Sequence, residues 1–307
     1  MREEIGYVPV GEAELYVEDV GPVEGPALLV LHGGPGGNAY VLREGLQDYL
    51  EGFRVVYFDQ RGSGRSLELP QDPRLFTVDA LVEDTLLLAE ALGVERFGLL
   101  AHGFGAVVAL EVLRRFPQAE GAILLAPWVN FPWLAARLAE AAGLAPLPDP
   151  EENLKEALKR EEPKALFDRL MFPTPRGRMA YEWLAEGAGI LGSDAPGLAF
   201  LRNGLWRLDY TPYLTPERRP LYVLVGERDG TSYPYAEEVA SRLRAPIRVL
   251  PEAGHYPWID ARRWLALSSK RAANTSCRSR ATNPSFSNTP ALSAKASPPF
   301  CPDRDRS

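Results

Sequence analysis

Five short, unbroken apolar runs constrain this chain most: residues 27–31 (ALLVL), 55–58 (VVYF), 97–100 (FGLL), 122–125 (AILL) and 221–225 (LYVLV). A strand that is apolar at every position is buried on both faces, and such strands belong to parallel sheets covered by helices. Helical patterns lie between several of the runs, over residues 40–50, 78–92 with Thr77 as N-cap, and 104–116. This alternation predicts an α/β fold. Ahead of it, residues 3–10 and 14–20 alternate apolar and polar side chains around Gly11, which predicts an antiparallel hairpin.

From residue 128 to 210 the strand signal disappears. Ala-, Leu- and Glu-rich helical stretches broken by Pro146, Pro163 and Pro173 take its place, as in an inserted helical cap. The run at 221–225 resumes the sheet, followed by a helix over 236–243, a strand over 247–250 and a closing helix from Pro257. The expected organisation is a sheet core of residues 1–127 and 211–267, a cap of 128–210, and a tail of 268–307. The tail differs in composition: it holds nine serines against five in the preceding 267 residues, both cysteines, and seven Lys or Arg against two Asp. Without apolar periodicity such a segment cannot offset its ordering entropy, so it is expected to be disordered, and its abrupt start suggests a frame change.

A net charge of −7 argues against a nucleic-acid surface, and no apolar run reaches the ~20 residues needed to span a bilayer. The start, MREEIGYVPV, carries charges where a signal peptide needs an apolar core, so the expected location is cytoplasmic. Without a body cysteine, neither a disulfide framework nor a Cys-type zinc site is available there.

In open parallel sheets the chemistry sits beyond the carboxyl ends of the strands. Five loops in that position stand out: His32-Gly33-Gly34-Pro35-Gly36-Gly37, Asp59-Gln60-Arg61-Gly62-Ser63-Gly64-Arg65-Ser66, Ala101-His102-Gly103-Phe104-Gly105, Gly226-Glu227-Arg228-Asp229-Gly230 and Glu252-Ala253-Gly254-His255. All three histidines of the chain lie in them. Together the loops resemble the α/β-hydrolase family, and the pair HGGPGG and DQRGSGRS is similar to the proline iminopeptidase group of serine peptidases. The resemblance covers residues 3–266 and implies a mostly parallel sheet of about eight strands with flanking helices and a cap.

It also implies a nucleophile at the strand-to-helix elbow, then an acid, then a histidine base, in that chain order. Asp229 and His255 match the last two. The backbone N–H groups of Phe104 and Gly34 match the oxyanion hole. The elbow departs from the pattern: where the family has small-x-Ser-x-Gly, this chain reads Ala101-His102-Gly103-Phe104-Gly105. Gly103 offers no atom to attack a carbonyl, although glycine suits the positive φ of an elbow tip. Among the body serines, Ser66 and Ser232 lie in site-side loops and are the two to test as substitutes. His32 reads as an anchor of its loop, and Asp59 and Arg61 as braces.

The resemblance further implies cap carboxylates that hold a substrate α-amino group beside a slot for proline. Glu182 and Glu186, four residues apart, are the candidates, with Trp183, Phe131, Trp133 and Trp206 as slot residues; a solvated helix face and an aromatic cap core are the competing readings. No metal or organic cofactor is implied, and the expected partner is a small molecule or short peptide. Three functions stay open: a hydrolase-lineage chain with its nucleophile replaced, a pseudo-enzyme that binds acyl compounds or amino-terminal peptides, and a slow hydrolase in which His255 activates water.

Overall fold

The computed structural model describes residues 2–187 and 194–260. Residues 1–267 separate as one unit from 268–307; the expected tail and residues 261–267, expected to continue the closing helix, lie outside the described residues.

The chain begins with β1 (Glu3–Val10) and β2 (Ala13–Val20), an antiparallel hairpin closed between Val10 and Ala13. Gly11 takes φ +54° there, a conformation that glycine adopts freely. Then come β3 (Ala27–Leu31), α1 (Tyr40–Leu46), β4 (Arg54–Phe58), α2 (Val78–Ala91), β5 (Phe97–His102), α3 (Gly105–Arg115) and β6 (Ala119–Leu125). Thr77 caps α2 as expected, its Oγ1 accepting from Ala80 N–H at 3.1 Å. The interval before the next strand is helical: α4 (Phe131–Ala141), α5 (Pro150–Leu158), α6 (Pro163–Met171), α7 (Pro175–Gly187) and α8 (Asp194–Arg202). The sheet resumes with β7 (Leu221–Gly226), α9 (Tyr235–Leu243) and β8 (Ile247–Leu250), followed by α10 (Pro257–Asp260).

The eight strands form one sheet in the order β1-β2-β4-β3-β5-β6-β7-β8, antiparallel across β1/β2 and β2/β4 and parallel elsewhere. Strand alternation divides the core in two. Leu29, Leu31, Val56 and Phe58 face the cluster built on α2, α3 and α9, whereas Leu28, Val30, Val55 and Tyr57 face the one built on α1 and Trp258. At the base of the helical insertion entry and exit pair directly, through Phe131 N–H to Leu208 O at 3.0 Å and Tyr210 N–H to Val129 O at 2.8 Å. Among the described residues no helix is long and apolar enough to cross a membrane, and no group of three His, Cys, Asp or Glu is placed to hold a metal.

Candidate active site

The elbow lies where β5 turns into α3. Gly103 sits at its tip with φ +53°, tied by its N–H to Leu125 O and by its O to Trp128 N–H, both at 3.0 Å. Two residues on, a Cβ on Gly105 would stand 2.5 Å from Leu31 O and 2.8 Å from His32 O, so only glycine lets α3 start this close to β3. A Cβ on Gly103 meets nothing closer than 3.6 Å. Its two nearest neighbours would be Gly33 Cα and His255 Nε2, both at 3.6 Å. A hydroxyl on that carbon would therefore come within hydrogen-bond reach of the imidazole.

Asp229 and His255, which follow β7 and β8, are both buried. His255 Nδ1–H donates to Asp229 Oδ2 at 2.9 Å, which leaves Nε2 as the nitrogen on the elbow side. The other carboxylate oxygen, Oδ1, accepts from Thr231 N–H at 2.9 Å and Thr231 Oγ1–H at 2.6 Å. Thr231 Oγ1 in turn accepts from Trp128 Nε1–H at 3.1 Å and lies 3.1 Å from His255 Nδ1. His255 N–H donates to Met171 O at 2.9 Å, so the end of α6 fixes the histidine loop. Beneath it, His102 Nε2–H donates to His255 O at 3.2 Å, the two rings 4.5 Å apart. Burial, then the proximity of His255, holds His102 well below the usual histidine range, so it is neutral.

The other loops behave as braces. His32 Nε2 accepts from Gln60 N–H at 2.9 Å and its Nδ1–H donates to Gly33 O at 2.7 Å; burial lowers its pKa, consistent with this neutral anchoring form. Asp59 accepts from Ala39 N–H at 2.7 Å and from Arg65 N–H and Nε–H at 2.8 Å. Arg61 forms a buried two-pronged pair with Asp84, both contacts at 2.6 Å. Ser66 Oγ–H donates to Asp59 O at 2.5 Å and Ser232 Oγ–H to Ala126 O at 3.0 Å, and neither reaches His255. Among the described residues the backbone N–H groups of Phe104 and Gly34 carry no hydrogen bond.

A cavity of about 200 Å³ opens beside His255, its walls including Val41, Leu42, Trp128, Tyr181, Tyr256 and Trp258. A larger groove, at Ala27, Gly98 and Gly121, lies at the amino ends of the strands, away from this chemistry.

The cap residues expected at the pocket need correction. Trp183 is 74 % exposed and lines a separate outer groove. On α7 it stands two positions, about 200° around a helix, from Tyr181, which does line the cavity. Glu182 pairs with Lys164 at 3.0 Å and Arg178 at 3.7 Å on the outside of the cap, so its charge is already neutralised away from the site. The Glu186 side chain lies outside the described residues. Phe131 and Trp206 are buried in the main core, and Trp133 packs against Tyr235. Sequence reasoning missed Trp128 and Thr231. Thr231 left one signal: a threonine two residues after an aspartate in a turn is placed to bond that side chain.

A nucleophile-elbow backbone, an Asp–His pair and a glycine-rich loop at the carboxyl ends of the strands define a hydrolase-type scaffold. The model of the alpha/beta hydrolase family matches residues 28–267, and the chain belongs to that family. It is 95 % identical to a proline iminopeptidase-related protein of Thermus thermophilus, whose crystal structure it matches over 89 % of this chain and 98 % of that one with a TM-score of 0.87. It is 25 % identical to a proline iminopeptidase of Heyndrickxia coagulans over 255 residues, 77 % of this chain and 86 % of that protein. It is also 30 % identical to the proline iminopeptidase of Lacticaseibacillus rhamnosus (strain Lc 705), over 41 % of this chain and 43 % of the relative, less than half its length. The chain is thus proline iminopeptidase-like within the hydrolase family.

Proposed function

We propose that this chain is a hydrolase-lineage acyl-binding protein whose serine chemistry is silenced at one position, Gly103. The observation that carries the reading is the 3.6 Å between a Cβ at residue 103 and His255 Nε2, with the opposite nitrogen held by Asp229 at 2.9 Å. The base is oriented, its tautomer is set and the oxyanion donors Phe104 N–H and Gly34 N–H are free of other partners among the described residues. What is missing is the oxygen that would open the acyl bond.

The test is Gly103→Ser. A fluorophosphonate probe should leave the chain as it stands unlabelled and label the variant at residue 103. Prolyl amides and small acyl esters should be turned over several orders of magnitude faster by the variant, since removing a serine nucleophile costs on the order of a million-fold in subtilisin. An unlabelled, inactive serine variant would overturn the reading. Residual turnover by the unmodified chain that disappears in His255→Gln would instead identify water activated by His255 as the nucleophile.

A further inference from the structure

We propose that the site, in its glycine form, binds small apolar monocarboxylic acids, with the carboxyl group lodged between His255 Nε2 and the first turn of α3. The proposal rests on the reading that Asp229, His255, Phe104 and Gly34 make one site.

Two independent observations meet at that point. One is the amino terminus of α3, an eleven-residue helix whose N-cap residue Phe104 supplies no side-chain cap. Helix N-termini present unpaired N–H groups and a positive dipole end, which suit an anion. The other is His255, a buried ring whose Nε2 has no hydrogen-bond partner among the described residues and lies 3.6 Å from the Cβ position of the elbow tip. A serine would place its hydroxyl on that nitrogen. Glycine leaves the nitrogen available to a ligand oxygen.

The hydrogen-bond pattern selects a ligand that donates to Nε2, an acid or an amide over an ester, and charge then selects the acid over the amide. His255 already uses Nδ1–H on Asp229, so Nε2 is an acceptor until it gains a proton. A carboxylic acid brings that proton. One of its oxygens then shares it with Nε2 while the other accepts from the helix N-terminus, a charge-assisted pair of contacts. No acidic side chain among the described residues walls the cavity: both oxygens of Asp229 are taken on the far side of the ring, by Thr231 and by His255 itself. The other titratable groups that face the ring are neutral. Burial holds His102 in its uncharged form and raises Tyr256 well above the usual tyrosine range.

The rest of the ligand is specified by the walls. Trp128, Tyr256, Trp258 and Leu42 are apolar surfaces, and about 200 Å³ is below the ~300–1,000 Å³ of pockets that take drug-sized ligands. An aliphatic or aromatic acid of benzoate's size fits that description.

The experiment titrates the full chain with benzoate and, separately, with benzamide, its neutral isostere, by calorimetry and by NMR of the histidine side chains. Benzoate should bind at least tenfold more tightly than benzamide and shift the His255 ring signals. Gly103→Ser, which gives Nε2 an internal partner, should weaken benzoate at least tenfold, and His255→Gln should erase the preference over benzamide. Equal affinities, or benzoate binding untouched by Gly103→Ser, would overturn the proposal. The two readings fail separately: a serine variant labelled by fluorophosphonate beside a parent that ignores benzoate sinks only this one. Benzoate binding beside an unlabelled serine variant sinks only the hydrolase reading.

Discussion

The indole of Trp128 stacks on the imidazole of His255, with ring centres 4.9 Å apart and planes 26° from parallel. The same indole donates to Thr231 Oγ1, which donates to Asp229. Trp128 thus touches His255 by its face and Asp229 through one hydroxyl, and its backbone is bonded to Gly103.

This arrangement predicts how an active variant responds to damage around the base. In the Gly103→Ser background, Thr231→Val should lower kcat by about tenfold with little change in KM, because a hydrogen bond to a charged group contributes roughly 1.5–3 kcal/mol. Trp128→Phe, which removes a neutral hydrogen bond to Thr231 worth roughly 0.5–1.5 kcal/mol and alters a wall of the cavity, should lower kcat less and also raise KM. Their combination should fall short of the product of the two, since both interrupt one chain of contacts. Steady-state kinetics of the single and double variants measures this. A raised KM at unchanged kcat in Thr231→Val would place that residue in ligand binding instead.

The two glycines of the elbow should respond differently to alanine. Gly103→Ala meets only ordinary contacts, so its cost is that of a side chain at φ +53°, about 1–3 kcal/mol. Gly105→Ala drives a Cβ to 2.5 Å from a backbone oxygen of β3 and should cost about 3 kcal/mol or more. Denaturant melts should rank the variants in that order, and Gly103→Ala should stay unlabelled by fluorophosphonate, which separates backbone strain from nucleophile chemistry.

Acid sensitivity should appear at Glu217. Arg219 grips its carboxylate through Nε at 3.0 Å and Nη2 at 2.7 Å, and with the Arg219 and Arg218 N–H groups it brings the pKa from 4.5 down to about 2. A depressed carboxylate stabilises the fold fully above its ordinary pKa and loses that contribution as pH falls from about 4.5 toward about 2. After allowance for solvent screening of a partly exposed pair, Glu217→Gln should cost about 1 kcal/mol at neutral pH. The gap between variant and parent should close on acidification, which thermal melts across that window would follow.

The parallel strands were legible because each of the first five carries an unbroken apolar run; every residue of β4 is buried, whereas β6 and β7, at Ile123 and Tyr222, keep an exposed side chain that an apolar run does not reveal. Asp229 and His255 were legible because their loops follow β7 and β8 in the chain order that the resemblance implies. Trp128 and Thr231 were not, because the bond between them joins residues 103 positions apart, and nothing local marks such a meeting. Trp183 misled for a related reason. An aromatic residue on a cap helix reads as interior, and only the packing of α7 decides that Tyr181 turns inward while Trp183 stands in solvent.

The left-handed backbone at Gly103 has a further consequence, at the level of the gene. Glycine and serine share codon pairs that differ by a single base, and at this position the surroundings leave space for either residue. Asp229 also closes its own turn and His32 anchors its own loop, so requirements of folding hold much of the site's frame in shape whether or not any chemistry is selected. If Gly103→Ser restores turnover as proposed, a lineage built this way crosses between binding and hydrolysis by one mutation, in either direction, without rebuilding the scaffold around it.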